Sequence, residues 1–166
     1  EPGSDGVFAF GAPTDTPVIG DWNGDGVDDF GIRRNNLFYI DLNGNRVWEP
    51  GSDGVFAFGT FTDVPVIGDC NGDGIDDFGI RRNNLFFLDL NGSRVWEPGS
   101  DGVYAFGAPT DTPVIGDWNG DGTDDFGVRR NHLFYLDLNG NWAWDIGTDG
   151  VFPFGVSTDT PVAGKW

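Results

Sequence analysis

The sequence predicts an all-β fold made of β-propeller-type blades, each of four antiparallel strands. Three observations carry that expectation. A 48-residue segment recurs along the chain, Asn-Gly, Asp-Gly and Pro-Gly dipeptides punctuate it at short intervals, and no stretch shows a capped helical period.

The repeat is close to exact copying. The string EPGSDG begins at Glu1, Glu49 and Glu97, and its variant DIGTDG begins at Asp145. Segment 1–48 differs from 49–96 at 8 positions and from 97–144 at 7. The array therefore reads as three full units, 1–48, 49–96 and 97–144, plus a partial unit 145–166. Within the first unit, turn signals bound four short apolar runs, read as strands at Val7–Phe10, Pro17–Asp21, Asp29–Arg33 and Leu37–Leu42. In the last of these, Phe38, Ile40 and Leu42 share one face, and Leu37, Tyr39 and Asp41 the other.

Four strands in about 45–50 residues is the size of one propeller blade. A blade cannot bury its faces alone, so blades must stack. Closed propellers have about 4–8 blades, and this chain supplies three plus two strands. An open linear or helical array is the alternative architecture. Val7–Phe10 lacks preceding strands and Pro161–Trp166 lacks following ones. These two orphans are expected to pair with each other, with a neighbouring chain, or with further residues. Towards the C-terminal end the pattern drifts, with Trp142 for Arg46, Pro153 for Ala9, Ala163 for Ile19 and Lys165 for Asp21. Terminal capping repeats drift in this way, so the array is expected to continue upstream of Glu1 and to end near Trp166.

Composition removes several function classes. Aromatic residues are 15% of the chain, which is foreign to disordered segments. The formal charge of −18 repels nucleic acid and anionic membrane and attracts cations. No apolar run approaches the length of a membrane-spanning helix. Cys70 is the only cysteine and His132 the only histidine, so neither an intrachain disulfide nor a zinc centre is expected.

The charge is concentrated in one loop per unit: DWNGDGVDD at 21–29, DCNGDGIDD at 69–77 and DWNGDGTDD at 117–125. Oxygen-bearing side chains fall at positions 1, 3, 5 and 9, with glycine at 6 for the sharp turn. The expected ligands of a hard cation are Asp21, Asn23, Asp25, the Val27 carbonyl and Asp29. In the second unit they are Asp69, Asn71, Asp73, the Ile75 carbonyl and Asp77; in the third, Asp117, Asn119, Asp121, the Thr123 carbonyl and Asp125. Like charges about 4 Å apart cost on the order of 1 kcal/mol per pair even in water, and a divalent ion removes that repulsion. An all-oxygen, mixed-charge ligand set favours calcium over magnesium. An EF-hand is excluded, because Ile32, Ile80 and Val128 stand where its bidentate Glu belongs. Without that Glu the expected affinity is the modest ~10⁻⁴–10⁻³ M of extracellular modules.

The stretch TDTPVIGDWNGDGVDDFGIRR, followed by LFYIDLNG, resembles the FG-GAP/VCBS-type repeat, and does so three times over. That resemblance implies calcium-binding β-propellers of the kind found in integrin α-subunit heads and some fungal lectins. It implies the same loop residues as ligands and about one Ca2+ per full repeat, three in all. Its propellers commonly have about seven blades, more than this chain supplies.

Other residues read more plainly. Trp22 and Trp118 are expected to pack between blades rather than stack on sugars, alongside Trp48, Trp96 and Trp144. Cys70 reads as a small buried apolar residue. One arginine of each pair at 33–34, 81–82 and 129–130 is expected to bridge to carboxylates of a neighbouring strand or blade. Asn91 begins the one glycosylation sequon. No nucleophile–base pair recurs, since His132 is Asn36 and Asn84 in the other units. The expectation is a non-enzymatic, secreted or cell-surface calcium-binding protein with a structural or adhesive role. Two alternatives stand beside it: a filament subunit completed by strand pairing between chains, and a multivalent lectin-like propeller. Self-association through the half-repeat ends, or a glycan or cell-surface protein, would be the partner, with no nucleic acid and no membrane insertion.

Overall fold

The structure is a computed structural model that describes residues 6–163. Among these residues the chain is all-β, with twelve strands in three four-stranded antiparallel sheets, no helix and no closed barrel. The first sheet comprises β1 (Thr16–Gly20), β2 (Asp29–Arg34), β3 (Leu37–Ile40) and β4 (Gly54–Ala57), in that spatial order. The second repeats it with β5 (Val64–Gly68), β6 (Asp77–Arg82), β7 (Leu85–Leu88) and β8 (Gly102–Ala105). The third follows with β9 (Thr112–Gly116), β10 (Asp125–Arg130), β11 (Leu133–Leu136) and β12 (Gly150–Pro153). Each is thus a blade of the expected kind.

Local chemistry explains the elements. Pro17 lacks an N–H, and it sits on β1, an edge strand that tolerates the loss. β2 and β3 close at the pair Arg34↔Leu37 through a two-residue turn, where Asn35 takes φ 58°. Asparagine tolerates that left-handed conformation better than other side chains. β3 ends at Ile40, short of the expected Leu42, although the Asp41 N–H still donates to the Phe30 carbonyl at 2.9 Å.

The fourth strand of every sheet comes from the following 48-residue unit. β4 pairs with β3 in the register Leu37↔Ala57 to Ile40↔Gly54, and β8 and β12 pair with β7 and β11 in the same way. This corrects the reading of Val7–Phe10 as a strand. Those residues are the first-unit equivalents of β4, and among the described residues no third strand precedes them to supply hydrogen bonds. Their side chains still pack as their counterparts do: Phe8 lies 6.1 Å from Phe30, against 5.7 Å for Phe56 and Phe78. At the other end, residues 161–163 form no strand either, and the remainder of the expected Pro161–Trp166 strand, with Lys165, lies outside the described residues.

The sheets approach each other through their first strands, β1 to β5 and β5 to β9, and their faces enclose two aromatic cores. Between the first and second sheets, Phe38 stacks on Phe78 at 5.0 Å, and Trp22 meets Phe78 edge-on at 5.2 Å. Between the second and third, Phe86 stacks on Phe126 at 4.4 Å, and buried Cys70 takes the place of Trp22. Trp48, Trp96 and Trp144 pack edge-on against Tyr39, Phe87 and Tyr135. These rings are the packing residues expected of them.

The arginine pairs divide their work between sheets. Arg33 donates to the carbonyls of Asp63 (2.5 Å) and Thr60 (2.6 Å), in the turn that leads into the next sheet. Arg82, on that next sheet, grips the carboxylate of the same Asp63 with two bonds of 2.7 Å. One turn is therefore held from both sides. The arrangement recurs at Asp111, held by Arg81 and Arg130.

Candidate metal centre

Each acidic loop joins the first and second strands of a sheet. In the loop 21–29, Asp21 folds back over its own backbone: Oδ1 accepts from the Gly24 N–H and Oδ2 from the Gly26 N–H, both at 2.7 Å. Asn23 Oδ1 accepts from the Asp25 N–H, and Asp25 Oδ1 from the Val27 N–H, both at 2.9 Å. Gly24 and Gly26 adopt φ of 75° and 81°, which lets the chain wind this tightly. The bonds from Asp69, Asn71 and Asp73 in the second loop, and from Asp117, Asn119 and Asp121 in the third, repeat the pattern. Val27, Ile75 and Thr123 hold position 7, each with its N–H on the position-5 carboxylate. Near-identical sequence gives near-identical loops.

The position-9 residues Asp29, Asp77 and Asp125 start the second strands and are buried. Asn23 Nδ2 donates to Asp29 at 2.8 Å and Asn71 Nδ2 to Asp77 at 3.2 Å, so positions 3 and 9 meet. Burial raises the Asp29 carboxyl to about 6, helped by Asp41, Asp25 and Asp21. Burial likewise raises Asp77 to about 8, helped by Asp73 and Asp89, and Asp125 to about 7, helped by Asp137 and Asp121. Several of their oxygens have no donor at all: Oδ2 of Asp77 and both oxygens of Asp125 are buried without a hydrogen-bond partner, as is Oδ1 of Asp41. Buried polar groups are ordinarily satisfied, and orphaned acceptor oxygens between like charges suit a hard cation.

As placed, no three acidic, histidine or cysteine side chains converge on a metal-sized point among the described residues. Asp21 and its equivalents face backbone amides, and two of the five expected ligands per loop are neutral. The structure brings positions 3 and 9 together directly in the first two loops and ties positions 1 and 5 to the same short turn in all three. Chemically, the loop offers oxygen ligands and negative charge, with no nucleophile poised beside a base.

Two sets of residues escaped the spacing argument. Asp76 and Asp124, at position 8, reach across to the preceding loop: the Asp76 N–H donates to the Asp21 carbonyl at 2.9 Å, and the Asp124 N–H to the Asp69 carbonyl at 2.8 Å. Asp41, Asp89 and Asp137 follow the third strands and are fully or almost fully buried. The signal for them is the second Asp-x-Asn-Gly string of each unit, DLNG at 41–44, 89–92 and 137–140.

Elsewhere, His132 is exposed in the β10–β11 turn, and Asn91 donates to Glu97 at 2.9 Å. Trp118 is only partly buried, unlike Trp22. No helix is long and apolar enough to cross a membrane. Comparison with family models, curated proteins and solved structures finds no match to this chain.

Proposed function

We propose that the chain is a non-enzymatic, calcium-binding repeat protein with a structural or adhesive role outside the cell, of the FG-GAP/VCBS type that its loops resemble. The observation that carries this reading is the orphaned carboxylate oxygens of Asp77 and Asp125, buried at position 9 of loops otherwise rich in oxygen ligands. Calcium supplies charge neutralisation and cross-linking of oxygens, not redox or proton chemistry. In this reading Asp21, Asn23, Asp25, the Val27 carbonyl and Asp29, with their two sets of equivalents, hold one ion each. Three ions would bring the formal charge from −18 to −12. An ion that binds only the folded loop stabilises it by about 2.7 kcal/mol at a concentration of 100 Kd.

Calorimetric titration of the chelator-treated chain with Ca2+ tests the reading. Three ions per chain and a calcium-dependent rise in Tm are expected. Absence of both heat and stabilisation at several millimolar Ca2+ would sink it.

A further inference from the structure

We propose that Asp41, Asp89 and Asp137 are ligands of the same cations as the acidic loops, so that two neighbouring loops of one sheet share each centre. The proposal rests on the calcium reading and extends the ligand set beyond the nine-residue spacing.

Backbone bonds place these carboxylates beside the position-9 residues. The N–H groups of Asp41, Asp89 and Asp137 donate to the carbonyls of Phe30, Phe78 and Phe126, each at 2.9 Å, one residue after Asp29, Asp77 and Asp125. In the first and third units the second loop then closes over the first, whereas Gly92 of the middle unit has open space beside it. A Cβ on Gly44 would stand 2.9 Å from Asp29 Oδ1, and one on Gly140 would stand 3.1 Å from Asp125 Oδ1. Both glycines also take φ of 67°. Only glycine allows so close an approach to the carboxylate in that conformation.

In the middle unit the two loops enclose a cavity of about 200 Å³, lined by Asp73, Asp77, Asp89, Asn91 and Arg94. Asp77, only 4% exposed, lines it and has an Oδ2 with no donor. The same junction carries an orphaned oxygen in the other units, on Asp41 in the first and on Asp125 in the third. Arg94 also lines the cavity, but its guanidinium donates to the Trp22 carbonyl at 2.9 Å and lies over the Phe56 ring. Among the described residues it forms no ion pair with Asp77 or Asp89. Two buried carboxylates around an acceptor oxygen with nothing to accept are costly unless a proton or a cation neutralises them, and a cation is the one that both can bind at once.

The test uses the full chain and the triple variant Asp41→Asn/Asp89→Asn/Asp137→Asn. Asparagine removes the charge and keeps one of the two oxygens that accept loop N–H groups in Asp89 and Asp137. It therefore also gives up one of those bonds, and the water count is the readout that separates ligand loss from loop change. Calorimetry with Ca2+ gives stoichiometry and Kd, and Tb3+ luminescence decay in H2O and D2O counts the waters left on each ion. Three ions are expected on the parent chain. In the variant, Kd is expected to rise about tenfold or more, with one additional bound water per ion. A role confined to loop shape would leave the water count unchanged, and that result overturns the proposal. So does binding of six ions that falls to three in the variant, because each loop would then hold its own. If the parent chain binds no ion, the calcium reading itself fails. Should the triple variant misfold by circular dichroism, Asp89→Asn alone is measured and is expected to weaken one ion of three.

Discussion

Asp76 and Asp21 clasp each other across two sheets: the Asp76 carboxylate accepts the Asp21 N–H at 2.8 Å, and the Asp76 N–H donates to the Asp21 carbonyl at 2.9 Å. Asp124 and Asp69 repeat the clasp at 3.1 and 2.8 Å. The joint between blades thus runs through the acidic loops themselves. Whatever tightens a loop tightens the joint.

Removing the side chain that accepts in this clasp should weaken the interface. Asp76→Ala is expected to cost about 1–3 kcal/mol, the range for leaving a partly buried donor without its charged acceptor. Asp28 holds the same position in the first unit and is exposed. Asp28→Ala is expected to stay within about 0.5 kcal/mol of the parent. Denaturant unfolding of both variants checks the contrast, and equal effects would mean that the clasp is not what Asp76 contributes.

The raised carboxyls give a pH dependence with a definite sign. Asp29, Asp77 and Asp125 have folded-state values of about 6, 8 and 7, and Asp76 is raised to about 7, first by its burial. The folded chain therefore holds more protons than the unfolded one between about pH 4 and 8, and stability falls as pH rises through that window. Asp15, Asp63 and Asp111 are held low by Arg34, Arg82 and Arg130 against the pull of burial, so they act below that window. Under chelation, Tm is expected to be higher at pH 5 than at pH 8. Millimolar Ca2+ should flatten the difference by occupying the deprotonated loops.

One aromatic position tests the stacking of the sheets. Phe58 is buried against Trp96 at 6.0 Å, and Phe58→Ala is expected to cost about 3–5 kcal/mol. Phe154→Ala, at the equivalent but exposed position, is expected to cost under about 1 kcal/mol in dilute solution. Thermal unfolding at low concentration separates the two. Comparable losses would mean that Phe154 is covered.

Much of this architecture was legible in the residues, because each unit states its elements three times. The strands at 29–33 and 37–42 emerged within one or two residues as β2 and β3, since turn dipeptides bound them on both sides. Val7–Phe10 failed for a non-local reason. Its counterparts become strands only by pairing with the preceding unit, and composition does not reveal whether that partner is there. The loops lie where the spacing put them, because glycine at positions 4 and 6 admits few alternatives. Asp41 and Asp76 were not legible as neighbours of Asp29 and Asp21. The first relationship depends on the β2–β3 register and the second on how one sheet lies against the next.

The ties between sheets have a mechanical consequence. Each sheet is one uninterrupted run of chain, 16–57, 64–105 or 112–153, so its strand order alone does not fasten it to the next. Arg33 and Arg82 fasten it through the turn at Thr60 and Asp63, and Asp76 fastens it through Asp21. Tension along the array must part these ties before one sheet can leave its neighbour, so the array resists pulling at its seams, as stitched cloth does.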